Sequence, residues 1–279
     1  MTISRAEALH EMGLSPVWQL RENPSVLRAA PTAAAVPAQG PFAETPSPRP
    51  MRAAAENPPE EGGRTPVPPA ADRAERIARL DWDELAHSVA DCRACGLCAE
   101  RKQAVLGVGD LAADWLFIGE GPGAEEDARG EPFVGPAGKL LDAMLAAIDL
   151  QRGEDVYIAN AVKCRPPGNR TPESAEMAVC APYLQRQIAL LQPKVIVLLG
   201  RAAVHSVLGE EGSLASLRGK PFVYRDGERS IPVVVTYHPA YLLRTLPDKA
   251  KAWEDLCRAR TLMRAAKAAA LANPENVAI

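Results

Sequence analysis

Four short apolar runs, "WLFIG" ending at Gly119, "VYIANAV" at Val162, "VIVLLG" at Gly200 and "PVVVTYH" at His238, alternate with amphipathic stretches such as "GKLLDAMLAAI" and "APYLQRQIALL". A strand that is apolar at every position has both faces covered. Helices lying between such strands supply that cover, and also the crossover that parallel pairing requires. The pattern predicts an α/β domain built on a parallel sheet. In open sheets of this kind the ligand lies beyond the carboxyl ends of the strands. Glu120, Asn160, Gly200 with Arg201, and His238 are therefore the first candidates for a functional site.

Composition divides the rest of the chain. Ala29 to Ala71 is mostly Ala, Pro and Glu and holds eleven of the 26 prolines. Such a stretch buries too little surface to offset its ordering entropy, so residues 29–75 are expected to form a disordered linker. Ahead of it, Ser4 with Glu7 makes a capping-box pattern, Leu9 and Met12 are apolar, and Gly13 is a stop. Residues 1–28 read as a short helical segment with Trp18 as an anchor, either loosely attached or a tethered peptide for a protein partner.

Order is expected to resume near Arg76, where Leu80, Trp82, Leu85 and Val89 recur at helical spacing. One domain over 76–271 then ends in a long helix, Asp248 to Ala270, followed by a tail over 272–279. With 279 residues and 47% hydrophobic content, one core of ordinary size is the natural expectation, in a monomer. No apolar run approaches the roughly 18 residues that a bilayer demands, and the N-terminus lacks the layout of a signal peptide. A cytoplasmic protein without membrane association is expected.

Six cysteines in a reducing compartment point to metal rather than disulfides. Cys92 and Cys95 form a C-x2-C, Cys164 lies 69 residues beyond Cys95, and Cys180 follows 16 later. Two thiolates from a tight turn and two from distant loops can close a tetrahedral site. Zinc is one occupant, although zinc ribbons usually bring a second C-x2-C; an iron-sulfur cluster suits the spacing better. Cys95 and Cys98 make an equally good C-x2-C on spacing alone. Cys257, beside Trp253 and Leu256, reads as a small buried apolar residue.

Taken together, "GEGPGAEEDARGEPFVGPAGKLLD", "NAVKCRPPGNRTPE" and "HPAYLLR" resemble the family 4 uracil-DNA glycosylases, the iron-sulfur branch of the uracil glycosylase superfamily. The resemblance runs from about Cys92 to Arg244, with the motifs in order. It implies a three-layer α/β/α sandwich with a four-stranded parallel sheet, and a [4Fe-4S] cluster on Cys92, Cys95, Cys164 and Cys180, with Cys98 outside the ligand set. It also implies action on uracil in single- or double-stranded DNA. Superfamily members that trap DNA covalently use a histidine in a basic insertion after the second strand. "KCRPPGNRTPE" has neither, so turnover is expected.

Removing uracil requires the base to leave the stack, the sugar cation to be tolerated and the departing anion to be stabilised. In this reading Phe133 stacks on the flipped base, and Asn160 reads the O4 and N3–H edge that cytosine presents in reverse. Gly121 brings backbone close to the base. His238 donates to uracil O2; its alternative is a histidine merely packed at a strand end. Glu120 orients water and favours positive charge on the sugar, with Glu126 or Asp127 as alternatives for the water and plain solvated surface as the blander reading of Glu125 and Glu126.

Leu242 is the expected wedge into the gap left by the nucleotide, with Tyr241 or Leu243 as substitutes. Arg244 is expected on a phosphate. Residues 159–249 carry twelve Lys or Arg against seven Asp or Glu, whereas residues 92–158 carry six against twelve. Within the basic half, Lys163, Arg165, Arg170, Arg218 and Lys220 are the expected phosphate contacts. The competing class is a non-catalytic iron-sulfur module that senses damaged or single-stranded DNA.

Overall fold

The computed structural model describes residues 70–272. The expectations for residues 1–28, for residues 29–69 of the linker and for the tail beyond Ala272 lie outside the described residues. The first helix among the described residues, α1 (Ala70–Ile77), begins ahead of the boundary expected near Arg76, inside what the sequence reads as linker. It is followed by α2 (Trp82–Ala90), whose start is fixed by reciprocal bonds between Asp81 and Glu84: the Glu84 N–H donates to Asp81 Oδ1 at 2.8 Å, and the Asp81 N–H donates to Glu84 Oε2 at 3.0 Å.

The elements then run β1 (Val108–Gly109), β2 (Trp115–Gly119), α3 (Ala124–Arg129), α4 (Pro136–Ala146), β3 (Val156–Asn160), α5 (Ser174–Leu191), β4 (Val195–Leu199), α6 (Arg201–Leu208), α7 (Leu214–Leu217), β5 (Phe222–Asp226), β6 (Arg229–Thr236), α8 (Pro239–Arg244) and α9 (Lys249–Ala272). The sheet order is β1-β3-β2-β4-β6-β5. The inner four strands are parallel, as expected, and each edge strand is antiparallel to its neighbour, so the sheet has six strands rather than four. The two extra strands escape the sequence pattern because they carry no continuous apolar run. β1 is two half-buried residues, and β5 alternates between half-buried and exposed positions, as an edge strand facing water on one side does.

Period-two alternation sorts the strand side chains into two cores. Trp115, Phe117, Val156, Ile158, Val197 and Val234 pack with α4 and α9 on one face. Leu116, Ile118, Tyr157, Ala159, Leu198 and Val235 pack with α5 and α6 on the other. These two cores make the three layers. Truncating Phe117, which is fully buried, to Ala would cost about 3–5 kcal/mol.

A third apolar cluster lies away from the sheet, joining α1 and α2 to the start of α5 through Ile77, Leu85, Val89, Met177 and Tyr183. Three polar ties reinforce it. Arg73 Nη1 donates to the Val179 carbonyl at 2.7 Å, the Tyr183 hydroxyl to the Ser88 carbonyl at 2.9 Å, and Arg186 Nε to the Leu80 carbonyl at 2.6 Å.

The register aligns the functional strand ends. Gly119 pairs with Asn160 at the last rung between β2 and β3. The chain then crosses to β4 on the other side of β2. This reversal of winding opens a crevice at the carboxyl end of β2.

Candidate active site

That crevice is a cleft of about 1230 Å³, lined by Glu120, Gly121, Phe133, Asn160 and His238 among others. Five residues, from the segment between β2 and α4 and from the carboxyl ends of β3 and β6, thus meet at one opening. Gly119 is what lets them approach: a Cβ there would come within 2.5 Å of both Asn160 Oδ1 and the Phe133 ring. The first glycine of the loop serves less to bend the chain than to make room for the base-reading groups.

Asn160 is buried at the end of β3, and its Oδ1 has no hydrogen-bond partner. A buried acceptor left unpaired costs about 1–3 kcal/mol, which is the mark of a site waiting for a donor. His238 caps the N-terminus of α8, its Nδ1 accepting from the Ala240 N–H at 3.2 Å. Because Nδ1 is an acceptor, the proton of the neutral ring sits on Nε2. Burial, helped by the nearby Arg244 charge and opposed by Glu126, pushes its pKa down to about 4, so the imidazole is neutral at physiological pH. Its ring lies 5.3 Å from that of Phe133, tilted by 30°.

Phe133 occupies the left-handed region, with φ at 56°. For a bulky residue that conformation costs of order 1–3 kcal/mol and must be imposed from outside. Arg152 imposes it: Nη1 donates to the Pro132 carbonyl and Nη2 to the Phe133 carbonyl, both at 2.9 Å. Asp142 holds the guanidinium in turn, through Nε at 3.0 Å and Nη2 at 2.8 Å. Nothing local in the sequence flags Arg152, because it lies 19 residues from the carbonyl of the ring it holds.

The acidic loop splits into distinct tasks. Glu126 accepts from the backbone N–H groups of Gly123, Val134 and Gly135, at 3.1, 3.0 and 3.2 Å. Asp127 is buried and accepts from the Lys102 N–H at 2.9 Å. Both carboxylates fasten the loop, and Glu126 also lines the cleft. Glu125 is exposed. Glu120 lines the cleft together with Glu126, Glu210 and Glu211, and burial raises its pKa, with a hydrogen bond from Thr171 opposing the rise.

Three expected DNA contacts are corrected by burial. Lys163 is 2% exposed, and its ammonium donates inward to the Asn160 carbonyl and to Gln187, so it cannot meet a phosphate. Arg218 is tied to Asp255 at 2.5 Å and lies over the Tyr237 ring. Leu242 is fully buried against the α4 and α9 core and cannot be a wedge, whereas its neighbour Leu243 is 43% exposed. Helical geometry accounts for the exchange: in α8 adjacent positions face different sides, and the sequence alone does not say which leucine faces the core.

Arg170 and Arg244 do line the cleft, Arg170 with its fork on Glu176 at 2.7 and 2.8 Å. Arg165, bonded to Asn169, and the exposed Lys220 lie outside the lining. Arg201, His205, Tyr237 and Tyr241 join it.

Four of the six cysteines gather beside the cleft. Cys164 and Cys180 sit in the third apolar cluster, and Cys92 and Cys95, not Cys98, pack against it. Cys257 is partly buried against the α4 and α9 core. Among the described residues no group of three or more His, Cys, Asp or Glu side chains is arranged to hold a metal ion. Burial pushes the Cys95, Cys164 and Cys180 thiols up, Cys180 to about 11, while donors lie close to three of the four sulfurs. Arg101 Nη1 lies 2.8 Å from Cys164 Sγ, the Lys163 N–H 3.3 Å from Cys180 Sγ, and Arg73 Nη2 3.7 Å from Cys92 Sγ. Burial alone would push the Cys92 thiol up, but the Ala94 N–H, the Tyr183 hydroxyl and Arg73 together hold it below its ordinary value. Donors of this kind favour an anionic sulfur ligand.

A sheet with four parallel inner strands, this switch-point cleft and a strand-end histidine, amide and carboxylate is that of an α/β enzyme, and residues 106–257 match the family model of the uracil DNA glycosylase superfamily, to which the chain belongs. Its similarity is to the type-4 branch. It is 45% identical to the Type-4 uracil-DNA glycosylase of Sulfurisphaera tokodaii, over 58% of this chain and 75% of that protein, and 43% identical to the one of Archaeoglobus fulgidus, over 58% and 82%. The Type-4 uracil-DNA glycosylase of Thermotoga maritima is 42% identical over 64% of this chain and 93% of its own length.

Proposed function

We infer that the chain is a monofunctional uracil-DNA glycosylase, hydrolysing the N-glycosidic bond of uracil in DNA to leave an abasic site. One observation carries the reading: a single cleft holds an unpaired buried amide acceptor, a neutral imidazole with its proton on Nε2, and a partly buried carboxylate.

A flipped uracil stacks on Phe133 and offers its N3–H to Asn160 Oδ1, while the Asn160 amide donates to O4. Cytosine offers an unprotonated N3 and an amino group at those atoms, so the same amide faces two mismatches. His238 Nε2–H donates to O2, where negative charge gathers as the bond to the sugar breaks. As a neutral donor it gives the leaving anion a hydrogen bond without surrendering its proton. Glu120, ionised, faces the sugar, where it favours the developing positive charge and orients the incoming water. No lysine lines the cleft among the described residues, in keeping with base removal without strand cleavage.

Cys92 and Cys95 from the loop after α2, Cys164 from the β3–α5 connection and Cys180 from α5 would hold a [4Fe-4S] cluster. Leu243 takes the role of wedge, and Arg170 and Arg244 meet phosphates beside it. A protein partner for residues 1–28 and a monomeric enzyme belong to the same reading. No helix among the described residues is long and apolar enough to cross a membrane.

The test is product analysis of the full chain with an oligonucleotide carrying one uracil. Free uracil should appear, and the strand should break only after alkali. Tight binding without uracil release would favour the non-catalytic DNA-sensing module instead.

A further inference from the structure

Lys163 is the buried group that this chemistry leaves unexplained. Its ammonium is enclosed, yet both of its hydrogen-bond acceptors are neutral: the Asn160 carbonyl at 2.8 Å and Gln187 Oε1 at 2.5 Å. A buried cation without an ion partner is costly, and such groups persist where their geometry serves a purpose. Gln187 is itself fully buried, its Nε2 donating to the Leu106 carbonyl at 3.0 Å and to the Tyr157 hydroxyl at 3.2 Å. The sulfurs of Cys180 and Cys164 lie nearby, and the Lys163 N–H donates to Cys180 Sγ at 3.3 Å. A polar chain therefore runs from Cys180 on α5 through Lys163 to the last residue of β3.

Asn160 needs such an anchor because its Oδ1 has no partner of its own, so the direction of the side chain is inherited from its backbone. Just beyond it, the Ala161 N–H donates to the Gly119 carbonyl at 3.0 Å and the Val162 N–H to the Glu120 carbonyl at 3.2 Å. The peptide plane after Asn160 is thus held from one side by β2 and from the other by Lys163. We propose that Lys163 is a positioning residue for the uracil-reading amide: its ammonium fixes the Asn160 carbonyl, and with it the aim of Oδ1 into the cleft.

The proposal rests on the uracil-glycosylase reading of the cleft. It is tested by single-turnover excision of uracil with the full chain, comparing Lys163→Met, Asn160→Ala and the double variant. Lys163→Met should lower the maximal rate by about 10- to 100-fold, the penalty for misplacing a substrate-holding group. The dissociation constant for DNA and its salt dependence should stay unchanged, because the ammonium touches no phosphate. In the Asn160→Ala background the same substitution should cost less than about 3-fold, since it acts through a side chain that is no longer there.

Weakened DNA binding with a shallower salt slope would overturn the proposal, as would an equal penalty in both backgrounds. Should Lys163→Met fail to fold, Gln187→Met removes one acceptor and should lower the maximal rate in the same direction; an unchanged rate there overturns the proposal. Failure of the unsubstituted chain to release uracil would overturn the functional reading and this inference together, whereas release at an unaltered Lys163→Met rate overturns this inference alone.

Discussion

His238 and Glu120 sit in one cleft, and a single cause moves their pKa values in opposite directions. Burial holds the imidazole neutral and pushes the carboxyl up, so each charged form is disfavoured. Stability and activity both become pH-dependent as a result. Unfolded histidine titrates near 6.5 and the folded ring near 4, so between those values the unfolded chain binds the extra proton and stability falls as pH drops, by up to ~3 kcal/mol. Denaturant titrations at neutral pH and at pH near 4 should show that loss, and His238→Gln should reduce it. Excision should decline on the acid side as Glu120 protonates, beginning above the usual carboxylate range of about 4.3. A pH–rate profile of Glu120→Gln should lack that limb at a much lower plateau.

At the scale of elements, the cleft is made by what strand ends and short helices hold in place. α8 shows this most plainly, since its first turn is capped by His238 while its two leucines diverge. Leu242→Ala should destabilise the fold by about 2–5 kcal/mol, because it empties a fully buried site shared with α4 and α9. Leu243→Ala should change stability by less than about 0.5 kcal/mol. It should nonetheless reduce excision from duplex DNA by about ten-fold, a fraction of the few kcal/mol that unstacking a base step costs. Thermal melts and duplex assays of the pair separate the two positions.

Across the whole molecule, the parts legible in the sequence are those whose physics is local. The four inner strands announce themselves as continuous apolar runs, and the residues at their carboxyl ends, Glu120, Asn160 and His238, are marked out by that pattern alone. Edge strands β1 and β5 lack the signal, being short or half-exposed. Burial of charge is equally invisible: Lys163 and Arg218 look like surface cations in a basic half of the chain, but their partners Gln187 and Asp255 lie 24 and 37 residues away. The acidic loop misleads for a related reason. Glu126 and Asp127 read as chemistry because carboxylates are versatile, whereas their work is to fasten backbone N–H groups brought near by folding.

The measurement that bears most directly on a single uracil-reading cleft is uracil release by His238→Ala and Asn160→Ala, each checked for cooperative unfolding. Removing one preorganised donor to a developing anion typically costs about 10²–10³-fold, and losing the amide should cost a comparable factor. Losses of that size in both folded variants are predicted. Full activity in both would contradict the account.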